Sequence, residues 1–427
     1  MSLLSDKGHA VSSNGRRKLL LLGGNRSNQL SIRQARQHGY FTIVVDPRIE
    51  TARLSDVDMP LPLDVRDCQQ LLKVIDEIDG IDGIVCMSEV GIEAAVSLCS
   101  TLGLPSISAS AAANARSKAA MRALWACTGF SVEFEVVNSE AEAEAAVRKL
   151  GFPLIFKPDR SFGGSRGVSS VETKDQIADA FAFAVQMGLP GSSVVIERRV
   201  TGTEHSCEVL IHEGATSVLC IGQKVKTPAP YRVDRSVEYP ASLLRQQKES
   251  VSRMCSAAVA ALGLTRGAAH VEFANTADGP VLFEIGARCG GGHTPVIAHA
   301  VSGVDEMITV CRMACGEPVG NLAPVSARGA DYRFVFFPPG QVCDVFVPDA
   351  VRNHPGILDA DILVKAREDI HSTQTTSDRS GFVVTHAETR EEAVQLADWA
   401  VRQMIVTYTN GHQACGFLFN DSGETAR

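Results

Sequence analysis

At 427 residues the chain is long enough for about two to four domains, which sets aside disulfide-stapled scaffolds and single short modules. Its 45% hydrophobic and 21% charged content is that of a folded globular protein, not of a disordered, collagenous or coiled-coil chain. The net charge of -8 provides no overall basic field, so neither a nucleic acid nor a membrane is expected as a partner.

The longest early apolar run, residues 19–22, is too short for a signal-peptide core or a membrane span, and a cytoplasmic protein is expected. Cysteines are scattered without a C-x-x-C pair. Cys311 and Cys315, one helical turn apart, have no His or carboxylate cluster beside them, so reduced and mostly buried thiols are expected. Residues 1–17 read as a disordered lead-in. Residues 19–22, Gly23-Gly24, a helical stretch near 31–38 and residues 41–46 then spell strand, turn, helix, strand. An acidic helix at 71–78, a strand at 84–86 and a helix at 91–102 continue the alternation, which predicts a parallel sheet with helices on both faces over residues 18–113. Gly23-Gly24-Asn25 lacks the G-x-G-x-x-G spacing of a dinucleotide site. Ligands in such sheets gather beyond the carboxyl ends of the strands, which makes Glu89 a candidate substrate residue; its bland alternative is a surface carboxylate.

Residues 114–190 form a lid-sized unit: a helix with Lys118 and Arg122, strands at 132–137 and 153–157, and two helices opened by the capping pairs Ser139/Glu142 and Thr173/Gln176. Residues 191–329 carry strands at 194–197, 203–211, 217–225, 268–275 and 280–285, a largely antiparallel sheet. Residues 330–420 read as a small C-terminal α+β unit. Its strands at 333–337 and 342–347 flank a hairpin-like break at Pro338-Pro339-Gly340, and Thr389 and Glu392 cap a helix with an apolar face from Ala393 to Met404. Residues 421–427 are a tail. The fold class is multidomain α/β and α+β.

The chemistry begins at Lys157, on a strand that runs into a loop with Gly163, Gly164, Ser165, Arg166 and Gly167. Glycines let backbone N–H groups close around phosphate oxygens. The stretch from Glu197 to Glu204 follows, with backbone donors for a purine and carboxylates for ribose hydroxyls. Further on, centring a turn on Asp278 sets Glu272 opposite Glu284, with His270, Glu272, Glu284 and Arg288 on one face and Val271, Phe273, Phe283 and Ile285 on the other; Leu282 falls among the polar set. Two facing carboxylates at about 4 Å repel by roughly 1 kcal/mol in water and about 4 at an effective dielectric of 20. A divalent cation reverses that sign, and magnesium takes one or two carboxylates plus phosphate oxygens. On the repulsion alone, Glu272→Gln is expected to raise the melting temperature of the metal-free protein. Asp378-Arg379-Ser380-Gly381 reads as a hairpin corner with a surface ion pair.

In this order, Ser117-Lys118-Ala119-Ala120-Met121-Arg122, Phe156-Lys157-Pro158, the glycine loop, Ile196-Glu197, Gly202-Thr203-Glu204, Glu272 and Glu284-Ile285-Gly286-Ala287-Arg288 resemble the ATP-grasp superfamily. Within it they resemble carboxylate-amine ligases of the L-amino-acid ligase and carnosine synthase kind. The resemblance runs from about Lys18 to Val406. It implies an ATP-grasp fold behind an N-terminal parallel-sheet domain, with ATP and Mg2+ (or Mn2+) as cofactors.

By the same resemblance Lys118 and Lys157 would hold ATP phosphates, the loop would cover the triphosphate, Glu197 and the backbone near Val200 would receive adenine, and Glu204 would bind ribose. Glu272 and Glu284 would ligate magnesium, and Arg288 would steady the transferred phosphoryl group. Gly286 stands where many family members have Asn. Lys224 and Glu238 lie on a segment that resembles the substrate-side loop, and Gly291, Gly292 and His293 either approach the reacting carboxylate or form a flexible loop. The implied reaction joins a small carboxylic acid, expected to be an amino acid, to an amine through an acyl phosphate, releasing ADP and phosphate; a homodimer is common among similar ligases. The rival readings are a biotin-dependent carboxylase, which resembles the fold but carries a Gln-Val-Glu-His-rich stretch where Cys289-Gly290-Gly291-Gly292-His293 stands here, and a nucleotide-binding regulator that has lost catalysis.

Overall fold

The computed structural model describes residues 15–49, 56–164, 166–227, 233–373, 375–419 and 425–426. Ser165, residues 1–14 of the lead-in and most of the tail lie outside the described residues. The first sheet is fully parallel, in the order Met59–Leu61, Phe41–Val45, Lys18–Leu22, Gly83–Cys86. Its central strands are apolar at every position but Lys18 and Thr42, because both faces are covered. Leu20, Leu22, Ile43 and Val45 pack on one side with Leu71, Val74 and Leu98; Leu19, Leu21 and Val44 pack on the other with Ile32, Met307, Ile308 and Cys311. That second cover includes the helix Glu306–Ala314, far along the chain, so the N-terminal unit is held against the rest by its own core.

The lid is an antiparallel sheet in the order Phe134–Val137, Val194–Arg198, Leu154–Pro158, Ser169–Val171. Helices Glu140–Leu150 and Ile177–Met187 bury Ala143, Val147, Ile177 and Ala184 against it. Ser139 accepts from the Glu142 N–H at 3.3 Å, and the Thr173/Gln176 capping box is formed. Residues 194–197, expected in the large sheet, instead complete the lid sheet between its two other long strands.

The large sheet has eight antiparallel neighbours in the order Gly279–Gly286, Gly267–Thr276, Thr203–His212, Ala215–Lys226, Asp234–Tyr239, Gly329–Val335, Gly381–Ala387, Ile357–Ile362. Helix Arg245–Leu262 covers one face through Val251, Met254, Cys255, Ala258, Val259 and Leu262. Three strands from beyond residue 329 extend this sheet, so the C-terminal segment is built onto it. Gly340–Phe346 leaves for another sheet, pairing with Asp369–Ile370 and Ile405–Tyr408. Pro338-Pro339-Gly340 is therefore a crossing between sheets and not a hairpin; two prolines without N–H groups cannot continue a ladder. Helix Arg390–Gln403 carries the expected capping box and buries Ala393, Ala397, Ala400 and Val401. No helix among the described residues is long and apolar enough to cross a membrane.

Candidate active site

The hairpin Gly267–Thr276/Gly279–Gly286 sets Glu272 opposite Glu284, and the route to that register differs from the simple one. The turn is Ala277-Asp278, with Thr276 opposite Gly279, and the ladder shifts between Glu272 and Phe273. A bulge at Phe283 restores the offset. It also corrects the faces: Leu282 is fully buried with Val271, Phe273 and Ile285, while Phe283 is only half-buried.

Each facing carboxylate has its own lysine. Lys224 Nζ is 2.9 Å from Glu272 Oε2, and Lys118 Nζ is 3.1 Å from Glu284 Oε1. His270 lies between Glu208 Oε1 (2.5 Å from Nδ1) and Glu272 Oε1 (3.4 Å from Nε2). Burial alone would raise the Glu272 carboxyl, but the Lys224 ammonium and the His270 imidazole hold it well below the usual range. Among the described residues no three His, Cys, Asp or Glu side chains form a ready metal cage. A site of two carboxylates fits magnesium, which takes its remaining ligands from phosphate and water.

A second cluster sits at the base of the lid. Lys157 Nζ donates to Glu197 Oε1 at 2.7 Å, and Arg122 Nε donates to Glu197 Oε2 at 2.6 Å; all three side chains are buried. Arg122 also donates to the carbonyls of Leu282 and Phe283, so it ties the lid strand to the hairpin bulge. Burial would raise the Glu197 carboxyl, yet the two cations bring it to about 2. Burial brings the Lys157 ammonium down to about 8 despite the attraction of Glu197. Glu197, expected to meet adenine, has its two carboxylate oxygens on Lys157 and Arg122.

Lys118 opens the helix Lys118–Trp125, whose N-cap Ser117 accepts from the Ala120 N–H at 3.0 Å. Asp159 locks this end to the loop: its Oδ1 accepts from Ser117 Oγ and the Ala119 N–H, both at 2.7 Å. In the loop, Gly163, Gly164 and Gly167 have φ of +82°, +72° and +76°, which side-chain-bearing residues rarely adopt. Arg166 is exposed, and the Gly164 carbonyl accepts from Thr376 Oγ1 at 3.3 Å, so the loop closes against the C-terminal segment.

Glu89, beyond the strand Gly83–Cys86, is at the site. Its carboxylate accepts from Arg288 Nε at 2.8 Å and from Arg116 Nη1 at 2.9 Å, and it lies 3.2 Å from where a Cβ on Gly286 would stand. Glu204 pairs with Lys226 at 2.7 Å, and Lys226 reaches Asp234 at the same distance. Val200 is half-buried just past the lid strand.

Two expected substrate residues are engaged elsewhere. Glu238 pairs with Arg390 of the C-terminal helix. His293 is fully buried, 2.8 Å from Asp359 Oδ2 and 3.3 Å from the Tyr332 hydroxyl, and serves the junction with the C-terminal strands. Gly291 has open space around it, whereas a Cβ on Gly292 would meet the Tyr332 hydroxyl at 2.6 Å. Arg116, Glu208 and Asp234 escaped sequence reasoning, because nothing local marks an isolated charge as one that will be buried.

Comparison with known proteins identifies two domains. An ATP-grasp domain model matches residues 150–296, and a model of L-amino acid ligase C-terminal domain 2 matches residues 333–409. The chain carries an ATP-grasp domain. This ATP-grasp protein is 26% identical over 253 residues to carnosine synthase 1 of Mus musculus, covering 54% of this chain and 30% of that protein. It is 30% identical over 203 residues to a D-alanine–D-alanine ligase of Cupriavidus taiwanensis, covering 45% of this chain and 61% of that protein. The match therefore spans less than two thirds of either relative. Among solved structures, the L-amino acid ligase from Bacillus licheniformis superposes with a TM-score of 0.80 at 21% identity, covering 92% of this chain and all of that one, and confirms the fold.

Proposed function

We propose that this ATP-grasp enzyme joins a small carboxylic acid, an amino acid in this reading, to an amine, converting ATP to ADP and phosphate. The observation that carries the reading is the set of lysines resting on carboxylates: Lys118 on Glu284, Lys224 on Glu272 and Lys157 on Glu197. A triphosphate needs those ammonium groups and a divalent cation needs Glu272 and Glu284, so a metal-nucleotide complex replaces the Lys118–Glu284 and Lys224–Glu272 pairs, while Glu197 keeps Lys157 in place.

A carboxylate does not acylate an amine at neutral pH, because oxide would have to leave. Its oxygen attacks the γ-phosphorus and ADP departs; the amine nitrogen then attacks the acyl carbon, phosphate departs, and the nitrogen loses a proton. Magnesium, held by Glu272 and Glu284, supplies charge neutralisation when bound. Lys157, Lys118 and Arg288 place fixed positive charge where the phosphoryl oxygens gain negative charge, in a site that Glu197 and Glu89 keep rigid. The loop at 159–167, hinged on its glycines, excludes water from the acyl phosphate. The experiment is a matrix of L-amino acids and small acids against amines, scored by ADP release. Release that requires both an acid and an amine supports the reading; release that requires neither, or ATP binding without turnover, favours an idle ATPase or a regulator.

A further inference from the structure

Glu208 lies on the strand Thr203–His212 in the large sheet, directly opposite His270, and is fully buried. One of its oxygens is 2.5 Å from His270 Nδ1, and the other accepts from the Gly290 N–H at 2.8 Å. The second nitrogen of His270 is 3.4 Å from Glu272 Oε1, and Gly290 follows two residues after Arg288. A single carboxylate therefore holds both the histidine beside Glu272 and the turn that carries Arg288. There is no slack in that grip, since a Cβ on Gly290 would lie 2.7 Å from Glu208 Oε1.

A second carboxyl adjoins the first. Glu306 opens the helix Glu306–Ala314, which packs through Met307, Ile308 and Cys311 against the N-terminal parallel sheet, and it too is fully buried. Neither of its oxygens has a hydrogen-bond partner among the described residues. It faces the Glu208 carboxylate, the Cys289 thiol and Asp305 of the helix cap, with Cys220 and Tyr239 nearby, and none of these is a cation. Burial and the neighbouring Glu208 charge push the Glu306 carboxyl well above the usual range. An ionised Glu306 would need donors that these neighbours do not supply, whereas a neutral one needs only an acceptor. Glu208 has lone pairs left for that after its contacts with His270 and Gly290.

We propose that Glu306 is a positioning residue of the ligase reaction: it stays a neutral acid, donates a hydrogen bond to Glu208, and through Glu208 fixes the aim of Arg288 and Glu272. The positioning role rests on the ligase reading; the proton on Glu306 does not. Glu306→Leu removes the donor at similar volume, and Glu306→Gln keeps a donor in its amide. Both are compared with wild type by infrared difference spectroscopy in H2O and D2O, by thermal unfolding, and by ADP release with the acid and amine pair that is fastest in the matrix. Wild type should show a carboxylic-acid C=O band that shifts in D2O and is missing from both variants. Glu306→Leu should melt at or above the wild-type temperature, because an apolar group replaces a buried acid. Its kcat should nonetheless fall about tenfold or more with the ATP KM unchanged, and Glu306→Gln should recover most of that loss. A merely structural Glu306 would lower the melting temperature and leave the kcat of the folded enzyme alone. Absence of the band, wild-type kcat in Glu306→Leu, or a glutamine variant no better than the leucine one overturns the proposal and leaves the ligase reading standing. The band without ADP release by any wild-type pair removes the ligase reading and the positioning role with it, leaving only the shared proton.

Discussion

Glu272 stands directly opposite Glu284 across the hairpin, and the repulsion between them is cancelled inside the protein, because Lys224 and Lys118 each neutralise one of the pair. The expectation that Glu272→Gln stabilises the metal-free protein therefore reverses. Lys224 is buried and its ammonium is held charged against burial by Glu272 and Asp234. Glu272→Gln is expected to cost about 1–2 kcal/mol, a modest figure because the Glu272 side chain is still 35% exposed. The melting temperature should fall by a few degrees while the magnesium concentration needed for ADP release rises. A higher apo melting temperature would show that repulsion, not pairing, dominates.

Lys157→Met tests the second cluster. Glu197 keeps Arg122 at 2.6 Å, so the fold should survive by circular dichroism. ADP release should drop about a hundredfold or more, the scale for removing one fixed charge from a developing anion. Wild-type turnover in the variant would make Lys157 a structural lysine.

The same residue gives a pH dependence. With its pKa brought to about 8 from an ordinary 10.5, Lys157 loses its proton in the folded protein before it does so in the unfolded chain. Between those values the unfolded state binds more protons, so this group makes stability rise with pH there. Glu197 acts at the other end: lowered from 4.5 to about 2, it contributes stability above 4.5 that is lost as pH falls towards 2. ATP affinity should weaken above about pH 8 in wild type, and calorimetric titration from pH 7 to 10 on wild type and Lys157→Arg should show the arginine variant flat.

Gly286 lies against Arg288, the arginine proposed to steady the phosphoryl group. A Cβ there would sit 3.2 Å from Glu89 Oε2 and 3.4 Å from Arg288 Cζ, so Gly286→Ala must loosen that pair. The expected result is a kcat lower by about tenfold with ATP affinity unchanged, since the fault lies in the aim of Arg288 and not in the nucleotide contacts. Equal losses in both would place the damage elsewhere.

Much of the architecture was legible because apolar periodicity follows local geometry: the strand at residues 19–22, the Thr173/Gln176 capping box and the helix opened by Thr389 all appear as read. The helix Arg245–Leu262 was missed although its apolar positions follow the helical spacing, because that spacing starts only at Val251, behind a polar first turn and a half. The Glu272/Glu284 register came out despite a turn placed half a residue off, since the bulge at Phe283 compensates. Ion-pair partners were not legible. Lys118, Lys224 and Arg379 have long side chains whose ends are placed by strands and helices distant in sequence, Arg379 meeting Asp234 and not the expected Asp378, and no local pattern records where they finish.

The acyl phosphate is tested most directly by isotope transfer. With the acid substrate carrying 18O in both carboxylate oxygens, one labelled oxygen passes to the γ-phosphoryl group when the acyl phosphate forms and stays there when the amine displaces it. Mass spectrometry of the products should find ADP, an amide that retains one label, and phosphate carrying one 18O per molecule formed. Unlabelled phosphate, or AMP and pyrophosphate in step with the amide, would contradict the account.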